Sequence, residues 1–120
     1  MELELKHPPQ ALLIPEAAQK AVLTGMKRIS IREGSRDYRA DRPFFLCYPN
    51  NSFCVSADLT SVRHCKAREV TEEERRDDGY GSLREMVQDL RRFYPHLTKE
   101  SKVTVLRWNN VEGSLVDQVE

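Results

Sequence analysis

The chain has 120 residues, a length that fits one domain and leaves little room for a second. Hydrophobic residues make up 39% and charged residues 32%, so a modest core in a soluble protein is expected, and no apolar run approaches the roughly 20 residues needed to span a bilayer. Nineteen basic and nineteen acidic side chains cancel to a formal net charge of zero, which excludes the bulk positive field of many non-specific nucleic-acid binders. Met1 to Lys6 shows no basic stretch followed by an apolar one, so no secretory leader is read there and a cytoplasmic location is expected.

Leu12-Leu13-Ile14 reads as a buried strand or lead-in segment, after which Pro15 sits where a first helical residue belongs and Glu16 suits the positive end of a helix dipole. Ala18, Val22 and Leu23 give this helix an apolar stripe, and Gly25 closes it as a left-handed cap. Arg28 to Glu33 then alternates, with Ile29 and Ile31 on one side and Arg28, Ser30 and Arg32 on the other. Gly34 to Asp37 is a turn and Tyr38 to Arg42 is irregular. Phe44 to Tyr48 is a second strand, and Pro49-Asn50-Asn51-Ser52 turns the chain back.

A long strand follows from Phe53. Its apolar residues lie on odd positions (Phe53, Val55, Ala57, Leu59) and shift to even at Val62, a phase change that suggests a bulge in a bent sheet. Thr71 to Glu74 and Ser82 to Glu85 are capping boxes. The helix after the second has Leu83, Met86, Val87 and Leu90 on one face and stops at Phe93-Tyr94-Pro95. Val103 to Trp108 is the closing strand, followed by a loose tail from residue 110. The pattern predicts an α+β fold with a small, curved β-barrel and flanking helices, one domain over residues 1–120 with its core at about 11–109.

Cys47, Cys54 and Cys65 match no CxxC zinc or redox spacing, and the expectation is free thiols packed as small hydrophobes in a reducing compartment. His7, His64 and His96 are scattered without a ligand set, so no metal and no cofactor is expected. Charge is unevenly spread. Gly25 to Arg42 carries Lys27, Arg28, Arg32, Arg36, Arg39 and Arg42 against Glu33, Asp37 and Asp41, whereas Glu69 to Asp78 is acidic apart from Arg75 and Arg76.

The basic run coincides with the strand that offers most chemistry. Ser30 and Arg32 lie roughly 6–7 Å apart along one side of it. Lys27, just past the Gly25 cap, is placed to fold over Ser30. A lysine in a partly desolvated cleft loses proton affinity and can act as a general base, and a hydroxyl beside it can become a nucleophile. Arg32 offers a planar fork for a phosphate or a developing oxyanion. The same pattern also fits an ordinary half-buried strand, two isoleucines inward and polar groups in water.

Pro15-Glu16, Ala18, Val22-Leu23, Gly25, Lys27 and Ser30-Ile31-Arg32, taken in order, resemble the signature of the ASCH domain family, relatives of the PUA RNA-binding barrel. Asp78 to Met86 resembles that family's acidic-Gly-aromatic approach to its second main helix, and Val103 to Trp108 its last strand. Small bacterial members similar to this chain are N4-acetylcytidine amidohydrolases, which release cytidine and acetate. The resemblance implies Lys27 and Ser30 as catalytic residues, Ser30 standing where those members have threonine, with an acidic partner that falls on Asp78 or on Asp77. Arg28, Arg32, Arg36 and Tyr80 are the candidate substrate- or RNA-binding residues. The implied partner is a nucleoside or RNA, with no membrane involved; a non-catalytic RNA-binding module is the alternative.

Overall fold

The computed structural model describes residues 9–48 and 53–112. Their hydrogen-bonded strand order is β1-β3-β4-β5-β2, a mixed five-stranded sheet accompanied by short helices, so the class is α+β. The chain divides into two compact units, residues up to Lys27 with Tyr38–Thr60 and those from Trp108 onward, and Arg28–Asp37 with Ser61–Arg107.

In the first unit, β1 (Gln10–Leu13) runs parallel to β3 (Phe44–Tyr48), and β3 pairs antiparallel with the start of β4 (Phe53–Lys66). Alternation makes the core: Phe44, Leu46 and Tyr48 point inward from β3, and Val55, Ala57 and Leu59 from β4. Trp108 is buried against Phe44 at a ring-centroid distance of 6.2 Å, and burial pushes the Tyr48 hydroxyl up to about 12. The apolar phase of β4 changes at Thr60–Ser61, where this unbroken strand passes from the first unit to the second.

Pro15 differs from its expected place. With φ −64° and ψ 150° it is an extended N-cap, preceding a 3-10 turn (Glu16–Ala18) and then α1 (Gln19–Leu23); its ring presets φ, but ψ is free to stay extended. Gly25 has φ 80°, the left-handed conformation that a side chain disfavours. Beyond it, the Lys27 amide donates to the Ala21 carbonyl at 2.9 Å.

The cysteine expectation is corrected. Cys47 and Cys54 are direct partners across β3 and β4 with Cα atoms 4.1 Å apart, and they form a disulfide. Strand register places them together, a relation that a search for CxxC spacing does not see. Cys65 is a free thiol. At the far end, Asn110 Nδ2 donates to Asp58 Oδ2 at 2.8 Å and the Glu112 amide to the Ser56 carbonyl at 2.9 Å, tying residues 110 and 112 to β4. The expected turn at 49–52, His7 and the tail from 113 lie outside the described residues.

In the second unit, β2 (Ile29–Glu33) pairs antiparallel with β5 (Lys102–Asn109), from Ile29 opposite Arg107 to Glu33 opposite Val103. Ile29, Ile31, Val103 and Val105 pack with Ala67 and Val70 and with Met86, Val87 and Leu90 of α3 (Leu83–Leu90). The capping box before α2 (Glu72–Asp77) is complete: Thr71 Oγ1 accepts from the Glu74 amide, and Glu74 Oε1 from the Thr71 amide at 2.8 Å. At α3 only half forms. Ser82 Oγ accepts from the Glu85 amide, but the Glu85 carboxylate reaches one residue further back, to the Gly81 amide.

Among the described residues no helix is long and apolar enough to cross a membrane.

Candidate functional site

Strand β2 holds two of the candidate residues, Ser30 and Arg32, and both of its sides are covered. Ile29 and Ile31 belong to the helix-packed core. Ser30 pairs with Leu106 and Arg32 with Thr104 on the opposite side, where Thr104 and Leu106 are fully buried and Ser30 is only 4% exposed. The expectation of an exposed polar side therefore changes: the hydroxyl of Ser30 is a buried polar group, which must be hydrogen-bonded to be tolerated. Arg32 meets that need, its Nε–H donating to Ser30 Oγ at 2.7 Å.

This bond has a chemical consequence. The guanidinium cannot accept a proton, so Ser30 Oγ is the acceptor and its own hydrogen is left to donate elsewhere. A permanently cationic donor on the oxygen favours negative charge there and on any oxyanion formed close to it. The sequence points to Arg32 as a fork for phosphate or oxyanion; the structure adds that it already grips the hydroxyl.

The loop after β2 is pinned by Thr104, a residue that the sequence reading passes over. Thr104 Oγ1 donates to the Gly34 carbonyl at 2.6 Å and accepts from the Arg36 amide at 2.8 Å. Arg36 in turn uses Nε on the Glu33 carbonyl at 3.0 Å and Nη2 on the Tyr94 hydroxyl at 3.3 Å, and its carbonyl accepts from His64 Nε2 at 2.8 Å. The guanidinium expected to meet phosphate is thus engaged within the protein. The only signal for Thr104 in the sequence is its alternate placement in Val103-Thr104-Val105, which register with β2 converts into a position opposite Arg32.

Of the other predicted residues, Arg28 is exposed immediately before β2. Lys27 is half-buried, and its position is set by the backbone bond to Ala21 that follows the Gly25 cap. Asp77 Oδ2 pairs with Arg107 Nη2 at 3.0 Å. Because Arg107 stands opposite Ile29, this pair lies on the helix-packed side of β2 and β5, away from the Ser30 side. Asp78 is the C-cap of α2, its amide donating to the Glu74 carbonyl at 3.1 Å. Tyr80 packs against the helix core and donates its hydroxyl to Asp89 Oδ2 at 2.6 Å. Burial above all, then that bond and the negative charges of Asp78 and Asp89, raise the Tyr80 hydroxyl far above the ordinary tyrosine range.

A second polar centre in this unit escapes the sequence reading. Glu74 is 7% exposed and receives two guanidinium bonds from Arg63, at Nε (2.9 Å) and Nη2 (2.5 Å). Burial pushes the Glu74 carboxyl up, but the bonds from Arg63 and Thr71 together with the Arg63 charge outweigh it, and the net shift is downward. Nearby, burial raises the Cys65 thiol against the opposing charge of Arg63. Among the described residues no group of three or more His, Cys, Asp or Glu is arranged to hold a metal ion.

These features belong to an α+β fold whose β2 buries a serine held by a half-buried arginine. Its fold is that of ASCH domains. The chain matches the ASCH domain from Lactobacillus crispatus JV V101 with a TM-score of 0.63 and 16% identity, over 79% of this chain and 70% of that one. It matches two variants of ZmASCH from Zymomonas mobilis at 13% identity over 85% of this chain. The serine-to-alanine variant gives a TM-score of 0.63 over 68% of that chain, and the tyrosine-to-phenylalanine variant 0.62 over 69%. No family model matches the sequence, and no curated protein does.

Proposed function

We propose that the chain is an amide hydrolase that removes the acetyl group from N4-acetylcytidine, giving cytidine and acetate. The observation that carries the reading is the buried Ser30 hydroxyl held by Arg32 Nε. In the proposed reaction Ser30 Oγ attacks the acetyl carbonyl and Lys27 takes the hydroxyl proton. The positive charge of Arg32 offsets the oxyanion of the tetrahedral intermediate. The C–N bond breaks as the cytosine nitrogen gains a proton, and water then releases acetate from the acyl-serine. Asp78 is assigned to proton transfer or to orienting Lys27. The Asp77 carboxylate is left out of this scheme because it is committed to Arg107 on the other side of β5.

The test is incubation of purified protein with N4-acetylcytidine, following cytidine by chromatography. Turnover that is lost in Lys27→Ala and Ser30→Ala supports the proposal. No turnover at high enzyme concentration overturns the activity, and undiminished turnover in Lys27→Ala overturns the mechanism.

A second reading, a non-catalytic RNA-binding module, is favoured by the exposure of Arg28 immediately before the same strand. It predicts binding that weakens linearly in log salt, falls with Arg28→Glu and is indifferent to Ser30→Ala.

A further inference from the structure

Cys47 and Cys54 form a cross-link between two strands that are also paired through their backbones. The backbone ladder pairs β3 and β4 from Phe44 opposite Ala57 to Tyr48 opposite Phe53, so the cross-link sits one pair from the end of the ladder, where backbone pairing alone holds the strands least firmly. The two residues are only seven apart in sequence, and a bond closing so short a loop restricts the unfolded chain less than a long-range one does. Access is uneven: Cys54 is exposed while Cys47 is half-buried. An incoming thiolate therefore meets the Cys54 sulfur first, and Cys47 is the leaving group.

The Cys47 backbone is also a support for the segment leading to Lys27. Its carbonyl accepts the Ile14 amide at 2.8 Å, fixing the end of β1 immediately before Pro15. From there the 3-10 turn and α1 run to Gly25, and the Lys27 amide is bound back to Ala21. Anchoring Cys47 to Cys54 steadies the acceptor on which the start of this segment rests.

We infer that Cys47 and Cys54 form a reversible thiol–disulfide modification site, whose closed form tightens the segment from Ile14 to Lys27 and whose open form loosens it. In reduction, a glutathione thiolate attacks Cys54 Sγ, the Sγ–Sγ bond breaks, and its electron pair passes to Cys47 Sγ, which takes up a proton. A second glutathione thiolate attacks the glutathione sulfur of the mixed disulfide and releases Cys54, which is protonated in turn. Two electrons have moved from two glutathione molecules to the protein, and glutathione disulfide is the product. Glutathione disulfide drives the reverse reaction. The inference is independent of the hydrolase reading.

The experiment equilibrates the native chain with glutathione mixtures of differing ratio, then reads the cysteines by alkylation and mass spectrometry and the backbone by amide hydrogen exchange. The pair should open and close without denaturant. In the open form the Ile14 and Lys27 amides should exchange about tenfold faster, while Ile31 in β2 stays unchanged. Cys47→Ser and Cys54→Ser should show the fast pattern in every mixture, and Cys65→Ser should behave as the unaltered chain. The inference is overturned by a pair that stays closed in excess reduced glutathione until denaturant is added, or by thiols that never join under glutathione disulfide. Equal exchange at Ile14 and Lys27 in both forms overturns it as well. None of these readings requires turnover, so a failed deacetylation assay leaves them decisive.

Discussion

Replacing Glu74 by alanine removes three hydrogen bonds at once, and the structure allows their worth to be sized. The Thr71 amide loses its 2.8 Å partner at the start of α2, and an unsatisfied donor of that kind costs roughly 1 kcal/mol or more. The two Arg63 bonds are charge-assisted, each worth roughly 1.5–3 kcal/mol when fully buried. The Arg63 side chain is 40% exposed, however, and can turn to water, so solvent screening leaves about 1 kcal/mol for both. The sum is about 2–3 kcal/mol, which for a domain of this size lowers Tm by roughly 10–20 °C. Glu74→Gln keeps the Thr71 acceptor and should cost about 1 kcal/mol. Urea unfolding followed by far-UV circular dichroism reads these values.

The same pair predicts a pH dependence. The folded Glu74 carboxyl holds its proton less tightly than the unfolded one. Its stabilisation is therefore complete above the ordinary glutamate value of about 4.3 and is lost as pH falls through the lower folded value. The Glu74→Gln chain should lack this component of acid sensitivity. A Glu74→Ala chain within about 0.5 kcal/mol of the unaltered one, or identical acid profiles for the unaltered and Glu74→Gln chains, would refute the reasoning.

Arg32→Lys keeps the charge but loses the Nε–H that holds Ser30, and with a charged hydrogen bond worth roughly 1.5–3 kcal/mol kcat/KM for deacetylation should fall about 10–100-fold; an unchanged value removes Arg32 from the mechanism. Ser30→Ala should lower kcat by about a thousandfold or more if the serine is the nucleophile. Thr104→Val preserves shape while leaving the Arg36 amide and the Gly34 carbonyl without their partner, and should destabilise by about 2 kcal/mol with faster exchange at the Arg36 amide. Gly25→Ala forces a side chain into φ 80° and should cost about 1 kcal/mol in thermal or urea unfolding.

Features governed by nearest neighbours were legible in the sequence. Gly25 as a left-handed cap, the Thr71–Glu74 box, the strand Phe44–Tyr48 and the buried stripe of α3 follow from a local conformational preference or a short repeat. The α+β class followed from the order of such segments, and the resemblance to ASCH domains from the motif residues between Pro15 and Arg32 with those at Asp78–Met86 and Val103–Trp108. Local rules failed where two neighbouring options satisfy the same preference. Pro15 serves as N-cap rather than first helical residue, and the Glu85 carboxylate chooses the Gly81 amide over that of Ser82.

By itself, then, the sequence determined where the main strands and helices fall, that Ser30 and Arg32 share one strand, and that Lys27 lies just before it. Tertiary structure decided what those residues meet. Strand register joined Cys47 to Cys54, set Thr104 opposite Arg32 and put the Asp77–Arg107 pair on the side of β5 away from Ser30. Packing on both sides of β2 buried Ser30, and that burial turned an alternating polar residue into a hydroxyl that must be held, with Arg32 holding it. The physical reason is range. Backbone preference and side-chain periodicity act over a few residues, while register and desolvation depend on segments that meet only once the chain has folded.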